Sequence, residues 1–207
     1  MRKLAALSDA VAATQETFQR QLGEEFELVG TPREPDSDQV SFGATVALTG
    51  ECANFTFAVV CDEASAGWLT RRLFALPDEE TPDLADTADA LNEIPNVAAG
   101  RWKAIRREQG ESYQLGLPLF MRGSSWLRFF SKGVNAVSQR LDGPDGASVQ
   151  VVLIWQSGVK PGGVLSMATQ SNEAVTQAKS LPIEVLQEAT QAVVNTCDVQ
   201  MGLSLEI

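Results

Sequence analysis

Residues 83–109 read DLADTADALNEIPNVAAGRWKAIRREQ, and this stretch decides the fold that we expect. Each residue of an α-helix advances the side chains by about 100° around the helix axis. At that step the large apolar residues fall on one flank, which is the pattern of a helix packed on a core. Pro82 and Asp83 are typical of a helix start, so the sequence predicts one long helix. Its predicted inner residues are Leu84, Leu91, Ile94, Ala98, Trp102 and Ile105.

The opposite flank of the same helix carries a second pattern. Asp89, Glu93, Asn96 and Gly100 lie at positions i, i+4, i+7 and i+11, within an arc of about 60°. A carboxylate and a carboxamide should therefore project side by side into solvent. An E-x-x-N pair on an arbitrary helix is most often an ordinary solvated surface, so the surrounding sequence has to decide its meaning.

Composition limits the class of protein. The 207 residues are 44% hydrophobic and 21% charged, which is typical of a soluble globular chain with a substantial core. We find no run of the roughly 18 apolar residues that a membrane helix requires. Ser8 and Asp9 interrupt any signal-peptide core, so we expect a cytoplasmic protein. The formal net charge of −11 argues against nucleic-acid binding, which needs a basic surface.

The residue inventory excludes several kinds of chemistry. The chain contains no histidine, which rules out Ser-His-Asp and Cys-His nucleophiles and histidine-ligated zinc. Cys52, Cys61 and Cys197 are odd in number and lack a C-x-x-C spacing, so we expect buried free thiols.

Two further kinds of site are not supported by motifs. The phosphate-binding patterns G-x-x-x-x-G-K-[ST] and G-x-G-x-x-G do not occur. Residues 160–163 (KPGG) are typical of a turn. The acidic residues at 78–83 lack the order of a calcium loop. We therefore predict no metal site and interpret 78–83 as a solvated turn.

The rest of the chain alternates helical and strand patterns. An amphipathic helix is predicted over 2–22, with Leu4, Leu7, Val11, Phe18 and Leu22 inward. Two β-branched and aromatic runs around Gly50 predict a hairpin. The complete prediction is a helix at 2–22, a short strand at 24–30, an exposed loop at 31–39, the hairpin at 40–62, a helix at 63–73, strands at 113–121 and 125–131, a mixed stretch to 140, a turn at 141–147, a strand at 148–156, a helix at 183–195 and a last strand at 199–207.

With these elements in place, the chain resembles the CheC/CheX/FliY family of chemotaxis phosphatases. The helix motif of that family is a Glu, two residues, an Asn and three residues to a small residue. Here it reads Glu93-Ile-Pro-Asn96-Val-Ala-Ala-Gly100, with Asp89 one turn earlier. The segment GLPLFMRG at 116–123 is similar to a family strand with a central proline. A single motif makes the chain more similar to CheX than to the two-site CheC.

The resemblance implies an architecture. We expect an α+β fold, namely a CheX-like domain over 1–158 with a mainly antiparallel sheet and packed long helices. Residues 159–207 would form a C-terminal extension packed on the same domain. Family similarity also suggests a homodimer formed through sheet edges.

The resemblance also implies an activity, which is hydrolysis of the aspartyl phosphate of a CheY-like response regulator. Asn96 would position the attacking water, and Glu93 would pair with the regulator's lysine. Gly100 would leave room for the partner's backbone, and Asp89 would contribute peripherally to binding. The protein would need no cofactor of its own, because the regulator supplies the Mg²⁺.

Two alternatives remain open at this point. Pro95 removes a helical hydrogen bond and crowds the preceding turn, so it could displace Asn96 from Glu93. That would favour a non-catalytic module that binds a receiver or a flagellar-switch component. The third reading is an unrelated α+β structural protein, in which Glu93 and Asn96 have no special exposure.

Overall fold

The computed structural model describes residues 2–36, 40–51, 53–123 and 135–155, which all lie in one compact unit. The predictions for 125–131, 183–195 and 199–207, the extension at 159–207, Cys52 and Cys197 fall outside these residues. The described elements are α1 (Arg2–Gln21), β1 (Glu27–Arg33), β2 (Phe42–Gly50), β3 (Asn54–Cys61), α2 (Glu63–Phe74), α3 (Leu84–Glu108), β4 (Tyr113–Arg122), β5 (Asn135–Asp142) and β6 (Ser148–Trp155).

The strands form one antiparallel sheet in the order β1-β5-β6-β3-β2-β4. The predicted hairpin is confirmed, because Phe42 of β2 lies opposite Cys61 of β3 and Thr49 lies opposite Asn54. Among the described strands, β1 and β4 lie at the two edges of the sheet. The predicted α+β class with a mainly antiparallel sheet is therefore confirmed.

Two segment predictions are wrong. Residues 135–140 of the predicted mixed stretch and the first two residues of the predicted turn belong to β5, which pairs with both β1 and β6. β1 continues to Arg33, into the predicted loop. Strand formation here follows from pairing partners rather than from local preference. Pro32 is tolerated because β1 is an edge strand.

The main core lies between the sheet and the three helices. Trp102 of α3 is fully buried at its centre, and its indole N–H donates to the Ala6 carbonyl of α1 at 2.8 Å. The rings of Phe55 and Tyr113 lie 5.8 and 4.9 Å from the Trp102 ring. A smaller apolar cluster on alternate strand positions includes Val60. The contacts of Trp102 connect α1, α3 and the sheet.

The predicted helix faces are confirmed except at their first turns. Leu91, Ile94 and Ala98 of α3 are buried as predicted. Leu4 and Leu84, predicted to face inward, are 57% and 50% exposed. Both lie in the first turn of their helices, and periodicity alone could not identify them as exposed.

The C-terminal end of α3 is held by a buried arginine. Arg106 donates to Glu111 at 2.7 Å and to Asp9 of α1 at 3.0 Å. Burial acts to lower the pKa of Arg106, but the hydrogen bonds to Glu111 and Asp9 outweigh it and raise that pKa. The hydroxyl of Tyr113 donates to the same Glu111 at 2.9 Å. One cation thus joins α1, α3 and the start of β4.

This arrangement predicts a large stability difference between two arginines of α3. Arg106→Met should lower the free energy of unfolding by about 3 kcal/mol, because the ion pairs of a buried guanidinium with Asp9 and Glu111 are lost. Arg101→Met removes the contact with the half-exposed Glu16 and should have a smaller effect, since exposed pairs contribute little. Urea unfolding followed by circular dichroism measures both. Equal stability of Arg106→Met and the parent chain would contradict this account.

Candidate functional site

Helix α3 begins and ends where its sequence signals place it. The Asp83 carboxylate accepts from the backbone N–H of Asp86 at 2.8 Å, and the Thr87 hydroxyl donates to the Asp83 carbonyl at 2.7 Å. This is an N-terminal cap of the preferred kind. At the other end, Arg106 and Arg107 lie in the last turn, where cations interact favourably with the helix dipole.

Pro95 lies inside α3 without ending it. The helix is continuous from Leu84 to Glu108, although Pro95 has no N–H to donate to the Leu91 carbonyl. Pro95 is on the buried flank, so its ring takes part in packing. Glu93 and Asn96 remain on the other flank, and the interruption that Pro95 could have caused is not observed.

The structure places the four predicted site residues together on one accessible flank. Asp89 and Glu93 are exposed, and Asn96 and Gly100 are half-buried. Neither the Glu93 side chain nor the Asn96 side chain has a hydrogen bond or ion pair with any residue in the described part of the chain. A carboxylate and a carboxamide are thus presented to solvent without an internal role, on a helix whose other flank is fixed in the core.

Gly100 has no structural requirement for glycine. A Cβ built at Gly100 meets no atom within 4 Å, whereas one built at Gly50 would lie 2.5 Å from the Tyr113 ring. Glycine in a helix interior costs about 1 kcal/mol relative to alanine. At Gly50 the close approach of a ring explains the residue, but at Gly100 the described structure supplies no such reason.

Sequence reasoning missed the partnering of the basic residues that follow Gly100. Arg101 and Arg106 form ion pairs with Glu16, Asp9 and Glu111. Lys103 and Arg107 form none with the described residues. Together with Ala104 and Glu108 they lie on an open part of the surface of α3. The helical period puts Lys103 and Arg107 on the same flank as Asn96, but only the tertiary structure shows which of the basic residues are paired.

A second carboxamide lies one turn before Asn96. The Oδ1 atom of Asn92 is buried and has no hydrogen-bond partner among the described residues. It is therefore turned away from solvent, unlike the exposed Glu93 beside it in sequence. Asn92 supplies an internal comparison for Asn96, because the two residues have the same chemistry on the same helix.

Other kinds of site receive no support from the described residues. No group of three or more His, Cys, Asp or Glu residues within these ranges is placed to hold a metal ion. None of the described helices combines the length and apolarity that a membrane span requires. Cys61 is buried, and burial raises the pKa of its thiol far above the usual range, so it is not a nucleophile at neutral pH.

Comparison with known proteins identifies the fold. Residues 42–141 match the family described as chemotaxis phosphatase CheX. Chemotaxis protein CheX of Desulfovibrio desulfuricans is 17% identical, with a TM-score of 0.59 over 73% of this chain and 99% of that chain. A CheC-like superfamily protein of Shewanella sp. PV-4 is 11% identical, with a TM-score of 0.59 over 73% and 97%.

One similar structure contains a partner. It is the complex of CheX with CheY, BeF3 and Mg²⁺ from Borrelia burgdorferi, which is 20% identical, with a TM-score of 0.58 over 72% of this chain and 95% of that chain. No curated protein sequence matches this chain significantly. At these identities the structural likeness concerns the fold.

The environment of the two glycines predicts opposite effects of the same substitution. Gly100→Ala should raise the free energy of unfolding by about 1 kcal/mol, because a helix interior favours alanine and no atom opposes the methyl group. Gly50→Ala should lower it by about 1–3 kcal/mol, because the methyl group would overlap Tyr113. Chemical unfolding of both variants measures these changes. Destabilisation by Gly100→Ala would mean that Gly100 has a packing role.

Proposed function

We propose that this chain is a member of the CheC/CheX/FliY family of chemotaxis phosphatases, because residues 42–141 match the family described as chemotaxis phosphatase CheX, and that it hydrolyses the aspartyl phosphate of a CheY-like response regulator. The observation that carries the proposal is the Glu93–Asn96 pair, which is accessible and unpartnered on an unbroken helix. A helix flank is convex, so it suits the surface of another protein better than a small molecule, which usually binds in a cleft.

Asn96 is the proposed catalytic residue. Phosphoryl transfer depends mainly on positioning the nucleophile and stabilising charge. A carboxamide can accept a hydrogen bond from water and donate one to a phosphoryl oxygen, so Asn96 can orient a water molecule in line with the phosphorus–oxygen bond. Such chemistry needs no histidine, and this chain has none.

The receiver is proposed to supply the rest of the active site. Mg²⁺ held by the receiver would neutralise charge on the phosphoryl oxygens. The Borrelia complex, which contains CheX, CheY, BeF3 and Mg²⁺, supports the idea that a protein of this fold meets a receiver with its metal in place. The chain itself would contribute positioning groups and no cofactor.

The neighbouring residues would fix how the receiver docks. Glu93 is exposed and has no ion-pair partner among the described residues, so its carboxylate is available for the receiver's lysine. Gly100, which the fold does not require, would allow the partner's backbone to approach α3 closely. Asp89 lies one turn before Glu93 on the same flank and would contribute peripherally to binding.

The second candidate is a related module that binds a receiver or a flagellar-switch component without hydrolysis. Pro95 favours it, because the loss of one helical hydrogen bond immediately before Asn96 can alter its position, and an error of about 1 Å can reduce a rate about a hundredfold. The unbroken course of α3 through Pro95 favours the phosphatase. The match of residues 42–141 to the CheX family argues against the third reading, an unrelated structural protein.

We also propose that the chain forms a homodimer through β4. β4 lies at an edge of the sheet formed by the described strands, and Leu117 and Leu119 on it are 90% and 57% exposed. An exposed edge with apolar side chains is a common site for pairing with another strand. A second copy would pair with this edge and cover both leucines.

The catalytic proposal predicts that two substitutions affect different kinetic constants. Asn96→Ala should lower kcat by about 100-fold, because it removes the group that positions water. Glu93→Ala should mainly raise KM, by about tenfold, because it removes a docking contact. Loss of phosphate from a phosphorylated receiver, followed at several receiver concentrations, separates the two constants.

Asn92→Ala is the matched control for this experiment, because it deletes a carboxamide one turn away whose oxygen is buried. Its kcat should be that of the parent chain. An equal loss of rate in Asn92→Ala and Asn96→Ala would contradict the assignment of Asn96.

The dimer proposal predicts that one negative charge introduced on β4 lowers the molecular mass of the protein in solution. Leu117→Asp should shift the chain toward monomer, because a buried unpaired carboxylate opposes strand pairing. Leu28→Asp places the same charge at the exposed edge strand β1 and should leave the mass unchanged. Size-exclusion chromatography with light scattering measures the mass. A dimer that persists in Leu117→Asp would contradict pairing through β4.

A further inference from the structure

The second half of α3 carries four basic residues of two kinds. Arg101 and Arg106 are held in ion pairs within the domain. Lys103 and Arg107 have no ionic partner among the residues that the structure describes, and both are at least partly exposed. In a chain with a formal net charge of −11, these two cations lie one helical turn apart without an acidic partner among the described residues.

Both cations continue the flank that carries Asn96. Lys103 and Arg107 follow Asn96 by 7 and 11 residues, which brings each within about 20° of its direction around the helix axis. The same geometry places them about 10 and 16 Å further along the axis. The flank therefore runs from carboxylates at Asp89 and Glu93, through Asn96, to two cations.

The helix dipole explains only part of this pattern. Its effect on charged side chains falls off within the last turn. Arg107 lies in the last turn, but Lys103 lies before it. The buried Arg106 already supplies a cation at this end. The dipole therefore does not explain why a cation is present at Lys103. It also does not explain why Arg107 has no ionic partner among the described residues.

We propose that Lys103 and Arg107 form a second docking contact with carboxylates on the surface of the receiver. This inference rests on the proposed function and extends the docking site beyond Glu93 and Asn96. Lys103 is half-buried and Arg107 is exposed, so carboxylates of the partner would reach both side chains from solvent. Opposite charges at the two ends of the flank then define the direction in which α3 lies across the receiver.

The contact would act on association more than on chemistry. An acidic chain approaching an anionic phosphorylation site is repelled, and a local cationic pair offsets this repulsion. Charges at the rim of an interface change association rates and salt dependence rather than the chemical step. The predicted signature is therefore a salt-sensitive affinity with an unchanged kcat.

The test reverses the charges of Lys103 and Arg107 and compares the effect with that of reversing two arginines elsewhere on the surface. Lys103→Glu/Arg107→Glu should weaken binding to a BeF3-loaded receiver, and raise KM, by about tenfold at about 50 mM salt, with kcat within about twofold of the parent. The difference should shrink at about 500 mM salt, because screening reduces it. Arg20→Glu/Arg33→Glu changes net charge equally at exposed positions off this flank and should have a much smaller effect.

Three outcomes would overturn the inference. They are unchanged affinity in Lys103→Glu/Arg107→Glu, an equal effect of the control pair, and an effect that does not respond to salt. A thermal melt of each variant, including the neutral variant Lys103→Gln/Arg107→Gln, serves as the control for folding. An unchanged melting temperature shows that a loss of binding is not caused by unfolding. If the charge-reversal predictions fail while Asn96→Ala still lowers kcat, only the second docking contact is refuted. No receiver binding by the parent chain would refute both proposals.

Discussion

The site depends on how firmly the inner flank of α3 is held. Trp102 is enclosed by aromatic rings and donates its indole N–H to the Ala6 carbonyl. Arg106 ties the same helix to Asp9 and Glu111. These contacts fix the rotation of α3 about its axis, and a helix fixed on one flank must present the opposite flank. The presentation of Glu93 and Asn96 is therefore a consequence of core packing.

Periodicity predicted the features that depend on one helix or one hairpin. The bounds of α3, the buried positions of Leu91, Ile94 and Ala98, and the pairing of β2 with β3 all follow from local pattern and capping residues. The shared flank of the four site residues follows from the same helical step. Local pattern was sufficient because each of these features is set by residues close in sequence.

Features that depend on distant partners could not be predicted in the same way. β5 forms because β1 and β6 lie on either side of it, and its own sequence does not alternate clearly. The different status of Arg106 and Arg107 depends on Asp9, which is about 100 residues away in sequence. The continuity of α3 through Pro95 is a similar case, because packing of the buried flank stabilises a helix that local preference opposes.

The measurement that tests the central claim most directly is the decay of a phosphorylated CheY-like receiver with a substoichiometric amount of this chain. The account predicts that decay accelerates over several turnovers, because Asn96 lies accessible beside Glu93 and the receiver supplies its own Mg²⁺. A receiver that binds the chain and still loses phosphate at its own rate would contradict hydrolysis, and the docking flank would then belong to a binding module.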